Sequence, residues 1–131
     1  MRAKKSLGQN FLNSKTIAHE IVRSAELSPS DVVLEIGPGK GFLTAEILKT
    51  GAHIFAIEKD DRLIPFLREK FAEEITKGAL TLIHDDVTNF DPHAYGLTNG
   101  TYKLIANIPY YLTGYIIRTF LETPHKPERM I

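Results

Sequence analysis

The stretch Val32-Val33-Leu34-Glu35-Ile36-Gly37-Pro38-Gly39-Lys40-Gly41 places a short apolar run directly before a glycine-rich turn. Residues 32–36 are rich in β-branched side chains, as is typical of strands buried in a parallel sheet. Glycine permits backbone torsions that other residues avoid and lets a ligand approach the main chain closely. Helical spacing of apolar residues then resumes over residues 42–49. The stretch therefore predicts a strand, a ligand-binding turn and a helix in succession.

Units of the same kind follow along the chain. Further strands are predicted at residues 53–57, 80–83 and 102–106, and Met130-Ile131 resembles the opening of another. Apolar periodicity predicts helices over residues 14–26 and 113–121. A helix between the second and third strands has an apolar stripe and could be capped by Asp60 or Asp61. The members of that stripe are Leu63, Phe66, Leu67, Phe71 and Ile75.

This alternation predicts the α/β class, with a parallel sheet, right-handed crossovers and helices on both faces. The sequence ends where a fifth strand begins, so we interpret residues 1–131 as the N-terminal part of a larger domain, cut after about four strands. The alternative is a complete four-stranded domain. An uncovered edge beside residues 102–106 would favour self-association.

Composition sets limits on the class of protein. An apolar fraction of 43% and a charged fraction of 24% are ordinary for a globular protein of one compact unit. No stretch approaches the ~20 apolar residues of a membrane span, and the absence of cysteine fits a cytoplasmic setting. Sixteen basic residues balance sixteen acidic ones, so any basic footprint for nucleic acid must be local, as at Arg2, Lys4 and Lys5. The five histidines have no metal-ligand spacing, and we expect no metal site.

Polar residues and glycine follow four predicted strands, at the points where the strands end. Gly37, Glu58, Asp86 and Asn107 occur in this order, and the carboxyl ends of parallel strands form one ligand-binding edge. A carboxylate at Glu58, 21 residues after Gly37, could accept hydrogen bonds from a ribose diol. Asp86 could accept from an adenine amino group, with Asp85 capping the turn. Taken singly, each acid could instead belong to an exposed turn.

The tetrapeptide Asn107-Ile108-Pro109-Tyr110 suits the binding of a planar amine. The Asn107 side-chain carbonyl and the Ile108 backbone carbonyl could accept the two hydrogens of an aromatic amine. Pro109 fixes the backbone without adding a donor, and Tyr110 could stack on a base for about 1–3 kcal/mol. The alternative is a strand-to-helix turn with an asparagine cap and proline in the first turn.

With these residues in view, the chain resembles the ribosomal RNA adenine dimethyltransferase family, most closely its small-subunit branch. The resemblance implies a Rossmann-like fold that binds S-adenosylmethionine and dimethylates two adjacent adenosines. The segments that carry the resemblance are Ser6-Leu7-Gly8-Gln9-Asn10-Phe11-Leu12, Glu35-Ile36-Gly37-Pro38-Gly39-Lys40-Gly41, Ile57-Glu58, Asp86 and Asn107-Ile108-Pro109-Tyr110. The residues implied to contact S-adenosylmethionine are Asn10, Leu12, Gly37, Gly39, Glu58, Asp86 and Asn107.

By the same resemblance, Asn107, Ile108, Pro109 and Tyr110 form the catalytic motif, and ribosomal RNA in a small-subunit particle is the partner. The family continues into further strands and a helical domain, so the activity of residues 1–131 alone stays open. Three other functions remain as alternatives. They are a large-subunit methyltransferase of the macrolide-resistance type, a non-enzymatic nucleic-acid-binding relative and a nicotinamide-dependent oxidoreductase. The G-x-G-x-G spacing argues against the last, because dinucleotide sites use G-x-G-x-x-G.

Overall fold

The computed structural model describes residues 15–98, 100–106, 127 and 129–130. Helices and strands alternate along the chain, as the sequence predicts. In chain order they are α1 Lys15–Ala25, β1 Val32–Ile36, α2 Phe42–Leu48, β2 His53–Glu58, α3 Leu63–Lys70, α4 Ala72–Lys77, β3 Leu80–His84, β4 Lys103–Ala106 and β5 Arg129–Met130. Two short 3₁₀ helices, Val87–Asn89 and Pro92–Tyr95, lie between β3 and β4. The helix predicted at 113–121 lies outside the described residues.

The five strands form one sheet in the order β3-β2-β1-β4-β5, and every neighbouring pair is parallel. The central strand is β1, where Glu35 is paired with Ala56 on one side and Ile105 on the other. The α/β class predicted from the sequence is confirmed. Because the strands run in parallel, β1, β2, β3 and β4 deliver the residues that follow them to the same edge.

The short strand β5 pairs with Lys103 and Leu104 of β4. It therefore covers part of the edge beside residues 102–106, which the sequence predicts to be uncovered. Self-association through that edge stays a prediction.

Alternating side chains of the sheet build two apolar clusters, one on each face. Val33 of β1 belongs to the larger cluster, which is covered by α1, α2 and α3 through residues such as Val22, Ile47 and Leu67. Leu34 and Ile36 point to the other face, where the smaller cluster lies. The remaining members of that smaller cluster are Ile57, Ile83, Leu97, Tyr102 and Leu104. Burial on both faces explains why the β1 sequence is apolar almost throughout.

The apolar stripe predicted for one helix is divided between two. Helix α3 ends before Phe71, whose φ of −114° and ψ of 30° are not helical, and α4 begins directly after it. Leu67 and Phe71 are buried as expected. Phe66 also belongs to the apolar stripe, but it is 44% exposed and its ring centre lies 5.7 Å from the Lys70 ammonium. Neither predicted aspartate caps α3 directly, although Asp60 accepts from the Arg62 N–H at 2.9 Å in the turn before it.

A buried lysine joins the amino-terminal side of β4 to the end of α1. Lys103 is 6% exposed, and its ammonium donates to the Ala25 carbonyl at 3.1 Å and the Glu26 carbonyl at 3.2 Å. It also lies 3.3 Å from a carboxylate oxygen of Asp31. Burial opposes ionisation of Asp31, but hydrogen bonds from Ser28 and Lys103 hold its pKa below the ordinary value. Lys103 thus donates to backbone carbonyls at and just beyond the end of α1, where a helix offers acceptors.

None of the helices in the described ranges has the length and hydropathy that a membrane span requires.

We expect Lys103→Met to lower the free energy of unfolding by roughly 2–3 kcal/mol, because it removes the buried ammonium that donates to two carbonyls and to the Asp31 carboxylate. Lys77→Met, at an exposed position in the last turn of α4, is the matched control and should change it by less than about 0.5 kcal/mol. Urea unfolding measures the free energy of unfolding of both variants.

The effect of Lys103 should also depend on pH. Asp31 has a lowered pKa, so the stability that its ionised form contributes to the fold is lost as the pH falls. The difference in free energy of unfolding between wild type and Lys103→Met should therefore become smaller below about pH 4. Equal effects of the two variants would contradict this role.

Candidate functional site at the carboxyl edge of the sheet

The glycine-rich turn leaves β1 in a conformation that needs glycine. Gly37, Gly39 and Gly41 have φ values of 74°, 59° and 88°, all in the left-handed region. The Gly37 N–H donates to the Ile57 carbonyl of β2 at 2.9 Å, and the Gly41 N–H donates to the Pro38 carbonyl at 2.9 Å. The turn is therefore held both internally and against the neighbouring strand.

The two sides of this turn differ in the space around them. A β-carbon at Gly41 would lie 2.6 Å from an edge atom of the Phe71 ring, whereas among the described residues one at Gly39 would meet only the Gly37 carbonyl oxygen, at 4.0 Å. On the packed side, the Lys70 ammonium donates to the Lys40 carbonyl at 2.8 Å and lies 5.5 Å from the centre of the Phe71 ring. Gly41 thus provides close packing, and Gly39 leaves room for another molecule.

Glu58 joins the turn to the end of β2. It is 7% exposed, and its two carboxylate oxygens accept from different backbone N–H groups. Oε1 accepts from Gly39 at 3.1 Å, and Oε2 accepts from Asp60 at 3.0 Å. The sequence predicts Glu58 as a ligand acceptor, with an acid in an exposed turn as the alternative. Its bond to Gly39, 19 residues away, has no local sequence signal.

Asp85 and Asp86 both form turns after β3. The Asp86 carboxylate accepts from the Thr88 N–H at 3.0 Å and caps the 3₁₀ helix Val87–Asn89, while Asp85 accepts from the Asp86 N–H at 2.7 Å. The sequence assigns a capping role to Asp85 alone, and the structure gives one to Asp86 as well. The hydrogen bond from Thr88 and the nearby charge of Lys59 keep the pKa of Asp86 below its usual range. Asp86 is therefore an ionised acceptor at neutral pH.

A fourth acid of this region, Glu35, was given no role from the sequence. It is fully buried near the end of β1, and its Oε1 accepts from the Thr44 hydroxyl of α2 at 2.6 Å. Burial raises the pKa of Glu35 to about 7, opposed by the Thr44 hydrogen bond and reinforced by the charge of Glu58. An ionised Glu35 therefore costs about 3 kcal/mol relative to an exposed glutamate. The available signal was an acidic residue inside an otherwise apolar strand.

The structure brings Gly37, Gly39, Glu58 and Asp86 to one edge of the sheet, as predicted. Asn107, Ile108, Pro109 and Tyr110 lie outside the described residues, as do Asn10 and Leu12. The last described residue of β4, Ala106, is paired with Ile36 of β1. The end of β4 therefore lies beside the end of β1, directly before the glycine turn.

The described residues contain no group of three or more potential ligands that could hold a metal ion. Two histidines in this part of the chain contact the carboxylates of acidic side chains. His84 lies 2.7 Å from an oxygen of Asp61, and His19 lies 3.4 Å from one of Glu46.

We expect Gly41→Ala to be more destabilising than Gly78→Ala by about 1–3 kcal/mol. Both glycines have similar φ values, 88° and 84°, so alanine carries the same backbone strain at each. Only at Gly41 would the added methyl group clash with Phe71, since no atom of the described residues lies within 4 Å of the position at Gly78. Thermal or urea unfolding measures the difference. Equal losses of stability would show that the Phe71 contact does not constrain the turn.

Comparison with known proteins places this geometry in a family. The sequence profile of the ribosomal RNA adenine dimethylase family matches residues 1–131. The chain is 44% identical over 133 residues to a ribosomal RNA small subunit methyltransferase A of Dehalococcoides mccartyi, covering 100% of this chain and 44% of that protein. It thus spans less than half the length of the curated relatives it matches.

Solved structures of related methyltransferases have the same fold as this chain. The 23S rRNA methyltransferase ErmE has a TM-score of 0.73 at 29% identity, over 86% of this chain and 43% of that chain. A dimethyladenosine transferase from Plasmodium falciparum has a TM-score of 0.71 at 25% identity, over 87% of this chain and 39% of that chain. The sheet with its flanking helices is the methyltransferase fold, and the chain belongs to the ribosomal RNA adenine dimethylase family.

Proposed function

We propose that this chain is the cofactor-binding part of an S-adenosylmethionine-dependent enzyme that dimethylates the exocyclic amines of adjacent adenosines in small-subunit ribosomal RNA. The observation that carries the proposal is the buried Glu58 carboxylate beside an open glycine turn, at the edge where the family motif residues meet. Curated relatives that are 42–44% identical to the chain are named ribosomal RNA small subunit methyltransferase A, and this supports the small-subunit branch.

The residues present fit the adenosine part of such a cofactor. Each oxygen of Glu58 accepts one backbone N–H and keeps a further lone pair, so the carboxylate can also accept from both hydroxyls of a ribose. The open side of Gly39 gives a ligand access to the backbone. Asp86, ionised and at the same edge, is the acceptor for the adenine amino group. Gly37 completes the described part of this surface, and Asn10 and Leu12 are assigned to it by family resemblance.

The motif after β4 would hold the second reactant. S-adenosylmethionine supplies an electrophilic methyl group on a positively charged sulfur. In our proposal the carbonyls of Asn107 and Ile108 accept the two hydrogens of the adenine amine, and they stabilise the positive charge that develops on its nitrogen. Pro109 fixes the backbone, and Tyr110 stacks on the base. Asn107 also borders the cofactor. Alignment of the amine with the methyl group supplies a large part of the rate.

The wider assignment follows from the family. Residues 1–131 would be the N-terminal part of the catalytic domain, with the remaining strands and the helical domain supplied by the rest of a family-length protein. The partner would be ribosomal RNA within a small-subunit particle, and the setting the cytoplasm, where ribosomes are assembled.

We expect Glu58→Gln to weaken S-adenosylmethionine binding at least tenfold, or about 1.4 kcal/mol. The amide replaces one acceptor oxygen by a donor that also faces a backbone N–H. Calorimetric titration of the chain measures the affinity, with NAD as a parallel ligand. Glu46→Gln is the control, because Glu46 is equally buried but binds His19 and Lys49. Unchanged affinity in Glu58→Gln, or preference for NAD, would refute the assignment.

Asn107→Ala should act mainly on turnover. In a family-length protein that carries this segment, we expect the methylation rate of unmethylated small-subunit particles to fall about 100-fold. The affinity for S-adenosylmethionine should change far less. Single-turnover assays separate the two quantities, and Glu58→Gln in the same protein should show the opposite pattern. Small and equal effects on rate and affinity would argue against a catalytic role for Asn107.

A further inference from the structure

Glu35 combines complete burial with incomplete hydrogen bonding. Its Oε1 accepts from Thr44 at 2.6 Å, but its Oε2 is buried without a hydrogen-bond partner among the described residues. A buried carboxylate oxygen without a partner is uncommon and costs free energy unless something offsets it. Nothing in the proposed cofactor contacts above uses this group.

The position of Glu35 connects it to the glycine turn. It precedes Gly37 by two residues in an extended strand, so their Cα atoms are roughly 7 Å apart. Its partner Thr44 lies in α2, the helix that follows the same turn. The Glu35–Thr44 hydrogen bond therefore joins the strand before the turn to the helix after it.

The charges on the elements that pack against Glu35 do not neutralise it. Glu58 at the end of β2 is a like charge, which disfavours an ionised Glu35. Lys103 of β4 carries a positive charge, but its ammonium is bound to Asp31 and to carbonyls at the end of α1. From α2 comes the neutral hydroxyl of Thr44. In the described part of the chain, an ionised Glu35 thus has a hydrogen-bond donor and no cation.

We propose that Glu35 is a proton-linked positioning residue of the cofactor site: part of the empty molecules carry its proton at neutral pH, and the group is ionised when a cationic ligand lies over the glycine turn. This proposal rests on the proposed function, which supplies that ligand. The O–H bond of the Glu35 carboxyl breaks, its electron pair stays on oxygen, and the proton passes to the buffer. The carboxylate then accepts a stronger, charge-assisted bond from Thr44 and tightens the link between β1 and α2.

S-adenosylmethionine has the positive charge that would favour loss of the Glu35 proton. S-adenosylmethionine carries a sulfonium and an ammonium against one carboxylate, so its net charge is positive. Its product, S-adenosylhomocysteine, lacks the sulfonium. Because burial raises the pKa of Glu35 to about 7, a positive charge nearby changes its protonation at neutral pH. Substrate and product should therefore differ in the number of protons released.

Calorimetric titration in two buffers of different ionisation enthalpy counts the protons released on binding. At pH 7 we expect release of up to about half a proton from Glu35 with S-adenosylmethionine, since the group is then about half protonated. S-adenosylhomocysteine should release less. Glu35→Gln should bind S-adenosylmethionine without this release, and the control Glu46→Gln should keep it. Subtracting the number of protons released by Glu35→Gln from the number released by wild type removes the contribution of the ligand itself.

A second measurement tests the empty site without any ligand. A carboxyl whose pKa is raised by folding destabilises the folded state as it ionises, so the cost is absent below its unfolded pKa and complete above the folded one. The free energy of unfolding of wild type, relative to Glu35→Gln, should therefore fall between pH 4.5 and about 7 and then level off. A difference that does not vary over this range would overturn the proposal.

The outcomes separate the two proposals. If S-adenosylmethionine binds but Glu35→Gln releases as many protons as wild type, the role of Glu35 is refuted and the proposed function stands. If wild type does not bind S-adenosylmethionine, both are refuted. A purely structural Glu35 would lower stability in Glu35→Gln by the same amount at every pH and leave the proton count unchanged.

Discussion

The carboxylate of Glu58 holds together the ends of two adjacent strands. One oxygen binds the N–H of Gly39 in the turn after β1, and the other binds the N–H of Asp60 after β2. Loops at the end of a parallel sheet have many backbone groups without partners, and a buried acceptor between them satisfies two. The position of the glycine turn, and with it the surface offered to a ligand, depends on this pair of bonds. A group assigned to binding therefore also builds the site in which it binds.

The sheet carries buried charged groups at opposite ends, with different consequences. Lys103 lies toward the amino-terminal side, where its ammonium has three oxygen partners, two carbonyls at the end of α1 and the Asp31 carboxylate. Glu35 lies toward the carboxyl edge, with one hydroxyl partner and an oxygen that no described residue satisfies. A fully paired buried charge stabilises one arrangement, whereas an incompletely paired one can respond to a new neighbour. The stable and responsive parts of the fold thus lie at different edges of the same sheet.

The sequence was sufficient for the strands, their order along the chain and the edge at which Gly37, Glu58 and Asp86 meet. These depend on local patterns, namely β-branched runs and the residues that follow them. It was insufficient for contacts between distant residues, such as the bond from Gly39 to Glu58. Periodicity also did not show that the helix ends before Phe71, or that Phe66, a member of the apolar stripe, is exposed. The burial of Glu35 and Lys103 depends on neighbouring strands that a single strand's sequence does not reveal.

The packing of the Phe71 ring against Gly41 also restricts how this chain can change over time. A side chain at position 41 has no room while phenylalanine occupies position 71, and a smaller residue at 71 would leave a void beside glycine. Substitutions at these two positions should therefore be strongly epistatic. A lineage that loses the aromatic ring at the junction of α3 and α4 removes the steric clash at position 41, although the φ of 88° still favours glycine there, and it does so through an intermediate that packs poorly.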